Sequence, residues 1–255
     1  MAIKQKEIVE PSAQELQISQ FKKGRVRLRM VGTTPLYFNS MSVKAKRDLL
    51  LGGGRKTKAQ RAEIKHHPEQ EFRDSLYRKN HGDTLLCFPA PGVKGAMATA
   101  ALATAGITST DVKRLIFLPE THIQIWGTPY LKMDVVRSAD MNKTPDIRTR
   151  AYLPRWCAEV TIAFVQPTLN AYSLASILTN AGTIIGIGDF RQEKGKGSNG
   201  CFTVMGGDET SPLWDALMKE GREAQQAAYD NPVAADMDTE ELLQFYREEV
   251  LRRAA

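Results

Sequence analysis

The chain has 255 residues, 42% of them hydrophobic, with a formal net charge of +6. That length supports one sizeable buried core, no apolar run approaches the roughly 18 to 20 residues of a membrane span, and Met1 to Ile8 lack the apolar stretch of a secretory signal. Cys87, Cys157 and Cys201 are scattered and odd in number, which indicates neither a disulfide framework nor a zinc knuckle and predicts a cytoplasmic protein.

The average charge conceals a split. Residues 208 to 255 hold 5 Lys/Arg against 12 Asp/Glu, a net of −7, whereas residues 1 to 207 hold 30 against 17, a net of +13. A basic body with an acidic tail predicts a nucleic-acid binder whose tail covers a basic surface or meets a partner. The bland alternative is a soluble protein that ends in an acidic helix.

Residues 1 to 20 are polar and read as an arm or a short helix. Arg25-Val-Arg-Leu-Arg-Met-Val31 alternates strictly, so Arg25 and Arg27 lie on one face of a strand and Val26, Leu28 and Met30 on the other. Thr33 to Phe38 continues it as an extended segment broken by proline. Residues 40 to 82 then read as helix, glycine break and helix, a basic insertion carrying Lys44, Lys46, Arg47, Arg55, Lys56, Lys58, Arg61 and Lys65 against Asp48 and Glu63. That sign bias favours contact with phosphates. Thr84–Phe88 is a short strand, and Ala96–Ala105 an alanine-rich helix stopped at Gly106.

Three strand-like runs follow, at 116–119, 121–126 and 130–136, then a polar, irregular and basic link from Arg137 through Arg148 to Arg150. Trp156–Val165 alternates as a strand, Ala171–Asn180 is a helix, and Cys201–Met205 a last strand. Between the last two lies Gly182 to Val204, with six glycines and the cations Arg191, Lys194 and Lys196. Glycine admits positive φ and close backbone approach, so the loop is expected to touch an anionic polymer. It lacks Walker A spacing, and Gly186-Ile-Gly188 is only a fragment of a dinucleotide fingerprint with no helix after it. A helix at 239–252 presents Leu242, Tyr246 and Val250 as a docking stripe.

Without its insertions the order is strand, helix, two strands, helix, strand. The expected fold is therefore α+β, a modified ferredoxin-like (RRM-like) βαββαβ domain over residues 1–207, with an acidic helical tail over 208–255. RNA-recognition modules of this topology read single strands on the uncovered sheet face.

Pro-Gly-Val-Lys-Gly-Ala-Met at 91–97, following a strand, resembles the Pro-Gly-Ser-x-Lys-Gly helix start of RAMP proteins, the backbone subunits of CRISPR effector complexes. Gly186-Ile-Gly-Asp-Phe-Arg and Gly197-Ser-Asn-Gly-Cys-Phe resemble that superfamily's glycine-rich loop, and Arg150-Ala-Tyr-Leu-Pro-Arg-Trp156 the approach to its third core strand. The likeness spans about residues 25 to 205. It implies that Lys94, Arg191, Lys194 and Lys196 contact an RNA backbone and that copies stack along the strand as a filament, with a complementary target strand and other effector subunits as further partners. Val93 departs from the pattern where a small hydroxyl residue is usual. Some members cleave target RNA with an aspartate after the first strand; Asp48 and Asp74 fall in that interval without recognisable context.

Of the aromatics, Phe190 is the expected base-stacking residue, while Tyr37, Phe38, Trp126, Tyr130, Tyr152 and Trp156 are mostly core. His66, His67 and His81 would serve a metal-independent endoribonuclease, and His122 is structural. The expectation is a sequence-tolerant binder of single-stranded guide RNA, without cofactor, metal or catalytic residue. The alternatives are a single-stranded DNA binding or annealing protein and the metal-independent nuclease.

Overall fold

Alternation of cations with apolar residues makes β1 (Lys22–Gly32) a strand with one buried side, and that side seeds the core. A computed structural model describes residues 20–52, 65–137, 144–194 and 197–254, of Lys194 the backbone only. Of the cations expected to meet RNA, Arg55, Lys56, Lys58, Arg61, Lys196 and the Lys194 side chain therefore lie outside the described residues. The fold is mixed α+β with antiparallel sheets and, among the described residues, seven α-helices.

In chain order, β1 is followed by β2 (Leu36–Tyr37), α1 (Val43–Leu50), α2 (Pro68–Ser75), β3 (Cys87–Pro89), α3 (Ala90–Ala100) and α4 (Ser109–Leu115). Next come β4 (Ile116–Phe117), β5 (His122–Trp126), β6 (Tyr130–Arg137), β7 (Pro145–Leu153) and β8 (Cys157–Gln166). The chain closes with α5 (Ala171–Ile184), β9 (Phe202–Gly206), α6 (Pro212–Asp230) and α7 (Met237–Ala254).

The main sheet runs β3-β5-β8-β1-β9, with β4 also paired to β8. β1 meets β8 from Lys22↔Gln166 to Val31↔Cys157, and β9 from Gly32↔Phe202 to Leu28↔Gly206. Leu28 and Met30 of β1 and Val160, Ile162 and Phe164 of β8 join Val93 and Met97 of α3 and Leu174, Ile177 and Leu178 of α5 in one core. Asn170 starts α5 by accepting from the Ser173 amide at 2.8 Å, one of the donors a helix start leaves unpaired. The second sheet runs β2-β7-β6, with β6 and β7 in register from Tyr130↔Tyr152 to Arg137↔Pro145.

Several expectations need correction. The alanine-rich helix begins at Ala90 rather than Ala96 and ends at Ala100, and α4 follows, started by a reciprocal Thr108–Asp111 capping box. The link expected to be irregular between Arg137 and Arg150 is strand from Pro145 onward, because β6 supplies a partner ladder that its polar composition did not advertise. The acidic tail holds two helices. In α7 the buried residues are Thr239 and Leu243, not the expected stripe: Leu242 is exposed, and the Tyr246 hydroxyl reaches His67 Nδ1 at 3.0 Å.

The tail is built into the body. Buried Gln225 of α6 accepts from the Leu85 and Leu86 amides at 2.8 and 3.0 Å and donates to the Ile125 and Gly127 carbonyls at 2.8 and 3.1 Å. One side chain thus satisfies four backbone groups of two strand ends. Gln225→Leu is expected to orphan them at a cost of about 2–4 kcal/mol, lowering the melting temperature by roughly 5–10 °C in thermal denaturation followed by circular dichroism.

Candidate nucleic-acid interface

The glycine loop is held from inside the molecule. Gly186 and Gly188 have φ of +75° and +85°, and a Cβ at Gly188 or Gly200 would stand 2.5 Å from the Tyr37 carbonyl oxygen or 1.7 Å from that of Ile187. These glycines answer to contacts within the chain. The Asp189 amide donates to the Tyr37 carbonyl at 3.0 Å, and Gly200 donates to Pro35 at 2.7 Å, which docks the loop on β2.

Arg150 explains why. Its side chain, 1% exposed, donates through Nη1 to Asp189 at 2.9 Å and through Nη2 to Asp134 at 2.7 Å. The guanidinium lies 4.4 Å from the Phe190 ring centre and 4.9 Å from that of Tyr37. Phe190 takes φ +51°, a conformation bulky residues avoid, to cover this charge. Asn39 adds a bond to Asp189 at 2.9 Å. Burial first, then the Asp134 carboxylate, pushes the Tyr37 phenol well above its ordinary range. Arg150 and Phe190, expected on RNA, are thus committed to this internal clamp. Arg191, expected beside them, pairs with Glu193 at 3.0 Å.

The strand reading of Arg25 and Arg27 agrees with their positions. Arg25, opposite Ala163, and Arg27, opposite Thr161, are exposed on the side of β1 away from α3 and α5. Arg27 meets Asp208 at 2.9 Å and Glu159 at 3.9 Å, both solvent-facing pairs of little net strength. Arg29 lies under the tail: its guanidinium is 4.6 Å from the Trp214 ring, it bonds the Glu209 carbonyl, and Glu159 is 3.5 Å away. Trp214, Trp126, Val31, Cys157 and Leu217 form a second apolar cluster there. α6 therefore covers the upper half of this face, and the described residues leave the lower half open. Burial pushes the Cys157 thiol up to about 12.

Lys94 sits at that lower end, not beside the glycine loop. Its ammonium donates to the Lys113 carbonyl at 2.9 Å and lies 5.6 Å from the centre of Phe117, which pairs with Ala163. The loop instead runs into Phe202, opposite Gly32. Gly32 stands seven residues along β1 from Arg25, the partner of Ala163, so about 23 Å of extended strand separates the two regions. Of the loop cations, Arg191 is the one whose side chain is described, and it pairs with Glu193 at the far end of the sheet rather than with Lys94.

On α1, Lys44, Lys46 and Arg47 are all exposed; Ser42 caps the helix by accepting from the Ala45 amide at 3.1 Å. A cleft of about 470 Å³ separates this helix start from β7, lined among others by Ser42, His66, Asp74 and Arg148. Arg148 is exposed, as is Arg137 at the end of β6. His66 bridges Glu71 and Asp146, 3.0 Å from each. Lys65, most strongly, and His66 hold the Asp146 carboxyl below its ordinary range. The three histidines do not converge: His66 lines the cleft, His67 faces Tyr246, and His81 is exposed. Among the described residues no group of His, Cys, Asp and Glu suits a metal ion.

Sequence reasoning passed over Lys22, Lys23 and Phe117, although Lys23 continues the alternation of Arg25 and Arg27 and was a readable signal. Comparison with protein-family models finds no match, and comparison with curated proteins finds none either.

Arg150→Ala removes the charge between two carboxylates, and an unfolding free energy lower by about 3–5 kcal/mol is expected in urea titration. Arg150→Lys, which keeps charge without the planar fork, should recover only part of that loss.

Proposed function

We propose that the chain is a sequence-tolerant single-stranded RNA-binding protein, similar to the RAMP backbone subunits that hold guide RNA and repeat along it. The carrying observation is the row Lys23, Arg25 and Arg27, exposed on the sheet side that α3 and α5 leave bare. Phosphates exchange readily with surface carboxylates such as Asp208, because an exposed ion pair is worth only about 0–1 kcal/mol. Release of counterions from the strand then supplies the affinity, with little dependence on sequence.

The finer fold reading belongs to the same proposal. β1, α3, β5, β8, α5 and β9 follow each other as strand, helix, strand, strand, helix, strand, and their strands lie side by side as β5-β8-β1-β9. That order supports a modified ferredoxin-like domain, with the segment around α1 and α2 as its basic insertion. Lys44, Lys46 and Arg47 of α1, together with Arg137 and Arg148, offer a second set of cations. The end of α1 exposes Leu49, Leu50 and Leu51 and the helix buries none of its own residues, which supports contact between successive copies.

Arg25→Glu with Arg27→Glu should weaken binding of a 30-nucleotide RNA at least tenfold in fluorescence anisotropy. The salt dependence on a log–log scale should fall by about 0.7 for each lost phosphate contact. Unchanged affinity removes the face from consideration. The same titration with DNA of equal sequence separates an RNA binder from a single-stranded DNA binder, because only RNA offers 2′-hydroxyls.

A further inference from the structure

We propose that Phe117 is a stacking platform for one unpaired nucleobase at the lower edge of the open sheet face; this rests on the reading of the chain as a single-strand binder. Ile116 and Phe117 form the short β4, and the two side chains part as strand neighbours do. Ile116 is fully buried in the core, whereas Phe117 is 39% exposed. The register sets Phe117, Ala163 and Arg25 side by side across three strands, with alanine as the low point between ring and guanidinium. An exposed ring in a row with a cation on a sheet face is the arrangement that lets a base lie flat while its phosphate meets the charge.

Two ammonium groups flank the ring. Lys23 Nζ is 5.2 Å from the ring centre and Lys94 Nζ 5.6 Å. Lys94 is anchored, since it also donates to the Lys113 carbonyl at the end of α4. The Lys23 side chain is exposed and, beyond this ring contact, makes no hydrogen bond or ion pair among the described residues. An exposed cation–π contact is worth about 0.5–1 kcal/mol, and a base stacked on an aromatic ring about 1–3 kcal/mol. The base wins the ring face, and the displaced Lys23 swings to the adjoining phosphate.

Next to the ring a recess of about 300 Å³ opens between Pro91 and Lys94 of α3 and Leu118 and Thr121 of the β4–β5 connection. Its size is at the lower limit for a small-molecule site and suits one nucleoside rather than a longer segment. Glu120 lines it too and offers an acceptor for a ribose hydroxyl or an exocyclic amine. Exposed Lys22, Lys113 and Arg114 surround this corner, so the strand that delivers the base stays in a positive field. The occupant fitting ring, recess and cations together is a nucleotide of an unpaired strand; a duplex keeps its base faces stacked inside.

The test uses the full chain and a 12-nucleotide RNA carrying 2-aminopurine, with anisotropy for affinity and 2-aminopurine fluorescence for stacking. Phe117→Ala should weaken binding about 5- to 100-fold and abolish the quenching, with the salt slope unchanged because no charge is removed. Phe117→Tyr should stay within about threefold of the parent, since a phenol stacks as a phenyl does. Phe117→Leu, which keeps the apolar volume and should keep the melting temperature, should bind like the alanine variant. An abasic strand should bind parent and Phe117→Ala alike. Equal affinity of parent and Phe117→Ala for the normal strand overturns the proposal and leaves the RNA-binding reading standing. An equal loss on the abasic strand also overturns it, because the ring would then only be holding its lysines. If the parent binds no RNA at all, the underlying reading falls and this site falls with it.

Discussion

The guanidinium of Arg150 lies between two carboxylates and two aromatic rings, and four segments of the chain meet on it. Tyr37 comes from β2, Asp134 from β6, Arg150 itself from β7, and Asp189 and Phe190 from the glycine loop. A buried charge is tolerated only where partners replace the water it loses, and removal of either side leaves the other uncompensated. The clamp therefore couples the three-stranded sheet to the loop that leads into β9. Because Phe202 and Gly32 pair at the mouth of that loop, the same clamp fixes where the upper end of the main sheet begins.

The C-terminal helices complete the other side of that end. Trp214 packs on Trp126 with ring centres 5.8 Å apart and also covers Arg29, so one indole seals apolar surface and partners a cation. Asp208 and the Glu209 carbonyl take up Arg27 and Arg29. One tail carboxylate, that of Asp208, and one backbone carbonyl, that of Glu209, thus meet the arginines at the covered end of β1. α7 reaches across to the insertion as well: Tyr246 meets His67 and Arg247 meets Glu69 at 2.8 Å. The tail acts as a brace between sheet and insertion, while most of its carboxylates, Asp215, Glu223, Asp238 and Glu240 among them, stay exposed to solvent.

Much of this was legible in the chain. Alternation placed β1 and β8 and gave Arg25 and Arg27 their face, and residues at helical spacing placed α5, since burial on one side leaves a periodic trace. The fate of Arg150 left none. A buried, paired arginine and an exposed one read alike, and its partners stand 16 and 39 residues away. The loop glycines are ambiguous for a related reason: glycine marks close backbone approach without saying whether the neighbour is a ligand or the Tyr37 and Ile187 carbonyls. β7 was hidden because its ladder rests on β6 rather than on its own composition. Lys94 carried a motif at its own helix start, but the register that sends it to Phe117 depends on pairing across β8.

That separation changes what the positive charge can do. Cations clustered at one point would grip a single phosphate group strongly; spread along β1 from Lys23 to Arg27, with Lys94 at one edge, they form a track instead. Lys23 and Arg27 stand four residues apart, about 13 Å along the strand, and screening in physiological salt acts over about 8 Å, so the two ends of the track do not reinforce each other at a single ion. They add only through a ligand long enough to touch both. A small anion gains little on such a surface, while a polymer gains one counterion release at each contact. On the proposed single-strand reading, the field along β1 selects for length before it selects for chemistry, and discrimination is left to neutral groups such as the exposed ring of Phe117, which a phosphate chain without bases cannot use.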